Sequence, residues 1–126
     1  MIKIPTENEF FEYLGSGRGH CSRLLGSLST DWVCPSCNRT LFEIMHWTKV
    51  NPIHHDGLEE GWLINVVTHH DHHKHYERFE QTVICQNCNI CEGFIRKKLK
   101  LDGSLSPEEI SRYIVSVNHG GHKIKY

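Results

Sequence analysis

From Val66 to Asn89 the chain reads VVTHHDHHKHYERFEQTVICQNCN. The apolar, β-branched run Trp62–Val67 that leads into it predicts a strand. Five histidines and an aspartate then fall within residues 69–75. Thr82–Ile84 predicts a second short strand. From Cys88 to about Leu101 the pattern turns helical and basic, and Asp102-Gly103 ends it. The stretch therefore predicts strand, loop, strand and helix in that order. Metal-ligating side chains stand at the end of the first strand and again at the helix start.

Cys85-Gln-Asn-Cys88 has a counterpart upstream in Cys34-Pro-Ser-Cys37, with 47 residues between Cys37 and Cys85. Two such turns supply four thiolates, the donor set of a closed tetrahedral zinc site. Four thiolates leave no open position, so this pattern points to structural zinc on Cys34, Cys37, Cys85 and Cys88. Cys91 forms a second, overlapping pair with Cys88. The pair Cys85 and Cys88 straddles the strand-to-helix junction where a knuckle belongs, so Cys91 is expected to be a small apolar core residue. Cys21 is isolated and reads as a free thiol.

The chain has 126 residues, 38% of them hydrophobic, with six cysteines and eleven histidines. That length predicts one domain. Its apolar share is below the roughly 45–50% of ordinary globular chains, a range that also counts glycine. A thin core in a short chain calls for a staple, which the cysteines can provide. The net charge of −1 argues neither for nor against nucleic acid. The N-terminal stretch MIKIPTENEFFEYLG lacks the layout of a secretory signal. No apolar run approaches the roughly 20 residues that span a bilayer. These features imply no membrane and a cytoplasmic location, where CxxC pairs serve metals more often than disulfides.

THHDHHKH followed by TVICQNCNICEG resembles the HNH (His-Me finger, ββα-metal) nucleases, and is most similar to the phage recombination endonuclease VII branch. The matching features are Asp-His after a strand, two apolar residues before Cys-x-x-Cys-Asn, and Glu-Gly three and four residues beyond that Asn. The upstream CxxC completes a zinc site in that branch. The resemblance spans roughly residues 32–98. The middle Asn of the HNH pattern has no clear counterpart, since Glu80 and Gln81 stand at its position.

The resemblance implies a small α+β, zinc-stapled ββα-metal domain flanked by short helices. Residues 1–30 would form a helical, Gly-rich extension, 31–101 the core, and 102–126 a C-terminal helix and tail. It implies a DNA endonuclease that leaves a 5′-phosphate and a 3′-hydroxyl, working in a bacterial or phage-infected cell. His72 would be the general base, its ordinary pKa near 6.5 suiting that task. Asp71 and Asn89 would hold a catalytic Mg²⁺ or Mn²⁺ through hard oxygens. Glu92, one helical turn after Asn89, is a secondary candidate. So are His69, His70, His73 and His75, to contact phosphate or orient His72. Lys74, Arg78, Arg96, Lys97, Lys98 and Lys100 would contact the DNA backbone, with Arg18 and Arg23 as a further pair. A double-strand cut would imply a homodimer, since one active site cuts one strand at a time. A different class of function also fits the cysteines: a non-catalytic zinc module that binds nucleic acid or protein.

Elsewhere, Thr6-Glu-Asn-Glu9 predicts a capping box and a helix to about Tyr13. Glycines 15, 17 and 19 break the chain, and a short helix over Ser22–Leu28 follows. Residues 41–50 have mixed periodicity and are left open between strand and helix. Ser106-Pro-Glu-Glu109 predicts a capped helix running to about Val115. His54-His55-Asp56 is a rival Asp/His cluster in a loop between Pro52 and Gly57. His46 is expected to be partly buried, while His119 and His122 in the basic tail are expected in solvent.

Overall fold

A computed structural model of the chain describes residues 2–15, 22–50, 59–71 and 77–126. Its helices are α1 (Glu7–Gly15), α2 (Ser22–Gly26), α3 (Leu41–Ile44), α4 (Gln86–Leu99) and α5 (Pro107–Ser111). Its strands are β1 (His46–Val50), β2 (Glu59–Leu63), β3 (Val66–His69), β4 (Thr82–Cys85), β5 (Ile114–Ser116) and β6 (His122–Ile124). Among the described residues the strands pair with their neighbours in sequence, as the antiparallel ribbons β1–β2, β3–β4 and β5–β6. The result is a small α+β fold with α4 as its main helix.

Three of the helices start with the same device. Thr6 with Glu9, Thr40 with Glu43 and Ser106 with Glu109 each exchange side-chain and backbone hydrogen bonds across three residues. Each exchange satisfies two backbone donors that a helix start would leave unpaired. The Thr40 box resolves the mixed pattern of residues 41–50: one turn of helix, then strand β1.

The run Trp62–Val67, expected as one strand, is divided between two. Leu63 ends β2, opposite His46, and Val66 begins β3, opposite Cys85. Ile64 and Asn65 carry the chain from one ribbon to the other. Their carbonyls are not left bare: Ile64 O accepts from the Tyr13 hydroxyl at 3.4 Å, and Asn65 O accepts from Gln86 N at 2.9 Å. The Gln86 bond serves the start of α4, whose N-cap Cys85 has no side-chain cap.

The C-terminal end also differs from expectation. Helix α5 stops at Ser111 rather than continuing to Val115. Arg112 N and Tyr113 N bond to carbonyls three residues back, which tightens and closes the last turn. The β-branched Ile114 and Val115 then join β5, and the tail returns as β6 with Ile114 opposite Ile124.

Helix α4 buries Cys88, Cys91, Glu92 and Ile95, the i, i+3, i+4, i+7 face of an amphipathic helix. Its Cys88, Cys91 and Ile95 belong to one core cluster with Leu41, Ile44, Met45, Ile64, Val66, Ile84 and Ile110, the cysteines Cys34 and Cys85, and the aromatic Phe10 and Tyr13. No helix among the described residues is long and apolar enough to cross a membrane.

Candidate metal centre and acidic site

The cysteine pairs meet. Val33 bridges Thr40, Cys34 N bonds to Arg39 O at 2.9 Å, and Asn38 N to Cys34 O at 2.8 Å. Asn38 takes the left-handed conformation (φ 60°) that lets the chain reverse there. This knuckle carries Cys34 and Cys37 to the junction of β4 and α4. The ligand atoms of Cys34, Cys37, Cys85 and Cys88 all lie within 4.8 Å of one another. Cys34 and Cys88 sulfurs are 3.9 Å apart, Cys37 and Cys85 sulfurs 3.8 Å. A tetrahedron with metal–sulfur bonds of about 2.3 Å has edges of about 3.8 Å. The cluster therefore has the dimensions of a structural zinc site. Cys91 stands apart from it, buried, and that burial pushes its thiol up.

Four sulfurs this close share their protons unequally. Hydrogen bonds from Cys34, Cys85 and Cys88 hold Cys37 far below the ordinary thiol range. Hydrogen bonding with Cys34 and Cys37 pushes Cys85 and Cys88 up. A divalent cation replaces those shared protons, which is why such clusters bind metal with proton release.

Two further residues surround the sulfurs, and neither was expected there. Arg39 is 2% exposed. Its Nε donates to Cys37 Sγ at 3.3 Å and its Nη2 to Cys85 Sγ at 3.7 Å. Its Nη1 donates to the carbonyls of Val117 and Gly120 at 2.8 and 2.9 Å. Burial opposes the guanidinium charge, but the hydrogen bond to Cys37 and the charges of Cys37 and Cys85 outweigh it and raise its pKa. His122, expected in solvent, instead places Nε2 3.2 Å from Cys88 Sγ and 3.5 Å from Arg39 Nη2. Pairing of β6 with β5 carries it inward. His119 is drawn in as well: Nδ1 bonds to Met45 O at 3.0 Å, and its ring packs edge-on against Phe42. His46 is half-buried at the start of β1, as expected.

A second group of polar side chains forms at the far end of β3. Asp71 is buried, its Oδ2 accepting from Arg78 N at 2.8 Å and its Oδ1 from Ser104 N at 3.2 Å. Arg78 Nε pairs with Asp71 Oδ2 at 3.4 Å. Glu92, also buried, accepts from Leu105 N at 2.9 Å and pairs with Arg96 at 3.4 Å. His69 bonds through Nε2 to Leu105 O at 2.7 Å and stacks on Phe79. A carbonyl can only accept, so His69 carries a proton on Nε2. The backbone of Ser104 and Leu105 thus gathers Asp71, Glu92 and His69 in one place. Backbone groups leave no trace in a motif, and nothing in the sequence pointed to these two.

Asn89 is half-buried on α4, between the metal-cluster Cys88 and Glu92. His70 is exposed. His72, His73, Lys74 and His75 lie outside the described residues, as do Arg18, Cys21 and the cluster His54-His55-Asp56. Among the basic candidates, Lys97, Lys98 and Lys100 are exposed, with Lys98 5.8 Å from the ring of Tyr126. Arg23 is exposed as well. Arg78 directs its guanidinium inward to Asp71, Glu109 and the Ser104 carbonyl, and Arg96 turns to Glu92.

Comparison with protein-family models, with curated proteins and with solved structures finds no match to the chain.

Proposed function

We propose that the protein is a metal-dependent endonuclease of the HNH type, hydrolysing DNA phosphodiester bonds. The observation that carries the reading is the relation between β3, β4 and α4. The two strands pair antiparallel, the helix follows β4 directly, and Asp71 at the end of β3 lies close to α4 through Ser104 and Leu105. The sulfur cluster stands at the β4–α4 junction, so a metal there would hold Asn89, the residue after Cys88, on a rigid support.

In this reading Asp71 and Asn89 offer hard oxygens to a Mg²⁺ or Mn²⁺ ion. The backbone amides of Arg78 and Ser104 and the Arg78 guanidinium approach the Asp71 carboxylate and fix its orientation. When bound, the ion would stabilise the leaving 3′ oxygen. His72 takes the proton from the attacking water. Glu92, engaged by Leu105 and Arg96, acts as a positioning residue that ties α4 to the segment holding Asp71. Lys97, Lys98 and Lys100 supply charge for backbone contact, so DNA affinity falls steeply as salt rises.

The reading is tested with supercoiled plasmid and Mg²⁺ or Mn²⁺, comparing wild type, His72→Ala and an EDTA control. Nicking by wild type alone is the expected result. Equal nicking by His72→Ala would remove His72 from the mechanism. The inward engagement of Asp71 and Glu92 favours one rival: a zinc-held module that binds nucleic acid or protein without cutting. Full DNA affinity with no nicking in either metal would select it.

A further inference from the structure

A cleft of about 210 Å³ opens between the β1–β2 ribbon and the first turn of α4. Several of its polar side chains make no hydrogen bond to the described residues. Asn65 Oδ1 is buried without a hydrogen-bond partner. Buried acceptors in folded proteins are almost always paired, so this one calls for a donor from outside the chain. The side-chain amide of Gln86, the Thr48 hydroxyl and the Lys49 ammonium, all lining the cleft, have no hydrogen-bond or ion-pair partner among the described residues. His46 donates from Nδ1 to Ile44 O at 3.1 Å, which leaves its Nε2 to the cleft.

The remaining lining is Asn87, whose Nδ2 donates to Gly120 O at 3.5 Å, and the apolar side chains of Ile44, Leu63 and Ile90. The cleft is smaller than the roughly 300–1,000 Å³ of pockets for whole drug-sized ligands, so it accepts about one ring system. The carboxamides of Asn65 and Gln86, each with donor and acceptor atoms, match the mixed edge of a nucleobase, and the apolar walls suit its faces. Lys49 is exposed on the cleft's β1 wall, where it would meet a phosphate. Gln86 and Asn89 are i and i+3 on one helix, about 5–6 Å apart between Cβ atoms.

We propose that this cleft holds one unpaired nucleobase of the DNA strand being cut. Asn65 and Gln86 read the base edge, and Lys49 neutralises a neighbouring phosphate. The inference rests on the nuclease reading and deepens it, placing the base about one helical turn from Asn89, the residue proposed there to hold the cation.

The test measures fluorescence anisotropy of the full chain with single strands of about 12 nucleotides. Ca²⁺ replaces Mg²⁺ to hold off cleavage, an abasic site is moved along the strand, and the matching duplex is run in parallel. Gln86→Ala is the main variant, since that side chain bonds to none of the described residues and the Gln86 backbone bond to Asn65 is kept. One abasic position should weaken wild-type binding about tenfold, the scale of a single stacked base. Gln86→Ala should erase that penalty and leave duplex binding unchanged, while Lys49→Ala should lower the salt slope by about one. If no abasic position matters, or Gln86→Ala keeps the full penalty while duplex still binds, the cleft assignment is wrong and the nuclease reading survives. If neither strand nor duplex binds at low salt, both fall together.

Discussion

Arg39 is the residue on which the metal centre and the C-terminus both depend. A zinc ion with four thiolates carries a net charge of −2, and the buried guanidinium lies against two of the sulfurs. The same side chain holds the carbonyls of Val117 and Gly120. Arg39→Met would leave buried charge uncompensated and two acceptors unpaired. We expect it to cost about 3–5 kcal/mol, the range for breaking one side of a buried ionic contact. Thermal unfolding of the zinc-loaded protein measures this. Arg39→Lys should recover only part, because an ammonium cannot reproduce the fork that reaches both sulfur and carbonyl. A separate expectation concerns Glu9, Glu43 and Glu109. The backbone amides of Thr6, Thr40 and Ser106 hold these three carboxyls below the ordinary range. Their contribution is complete above the unfolded pKa of about 4.3. It is lost as pH falls through the depressed folded values. Glu43→Gln with Glu109→Gln keeps both capping boxes but removes the titrating groups. Stability followed against pH should then decline less on the acid side than in wild type.

The elements show where sequence patterns carry and where they stop. Helix α5 rests on its capping box, so Ser106→Ala should cost about 0.5–2 kcal/mol in denaturant unfolding. The boxes at Thr6 and Ser106 were legible because the bonding pattern lies within four consecutive residues. β4 and α4 were legible from composition and periodicity, and the cysteine cluster from spacing. The division of Trp62–Val67 was not, because an apolar β-branched run has no mark where it changes partners. That change depends on Tyr13 and Gln86, both distant in sequence. β5 and β6 were missed because strands of three residues are too short for alternation to register. Missing them placed His122 in solvent, when strand pairing brings it to the sulfurs. Asp71 and Glu92 could be nominated by motif. Two of the partners that hold them, the backbone amides of Ser104 and Leu105, could not.

At the scale of the whole molecule, the sulfur cluster joins parts of the chain that are far apart in sequence. Cys34 and Cys37 come from the knuckle, Cys85 and Cys88 from the β4–α4 junction, and Arg39 and His122 add the C-terminal ribbon. Removing the metal should therefore loosen all three together. A strong chelator should abolish the cooperative thermal transition followed by circular dichroism, and zinc should restore it. The measurement closest to this claim is native mass spectrometry of the whole protein beside a Cys88→Ser variant. One zinc per wild-type chain, and loss or marked weakening of that zinc in the variant, is the predicted result. A folded, metal-free wild type, or a variant holding zinc as tightly as wild type, would contradict the account.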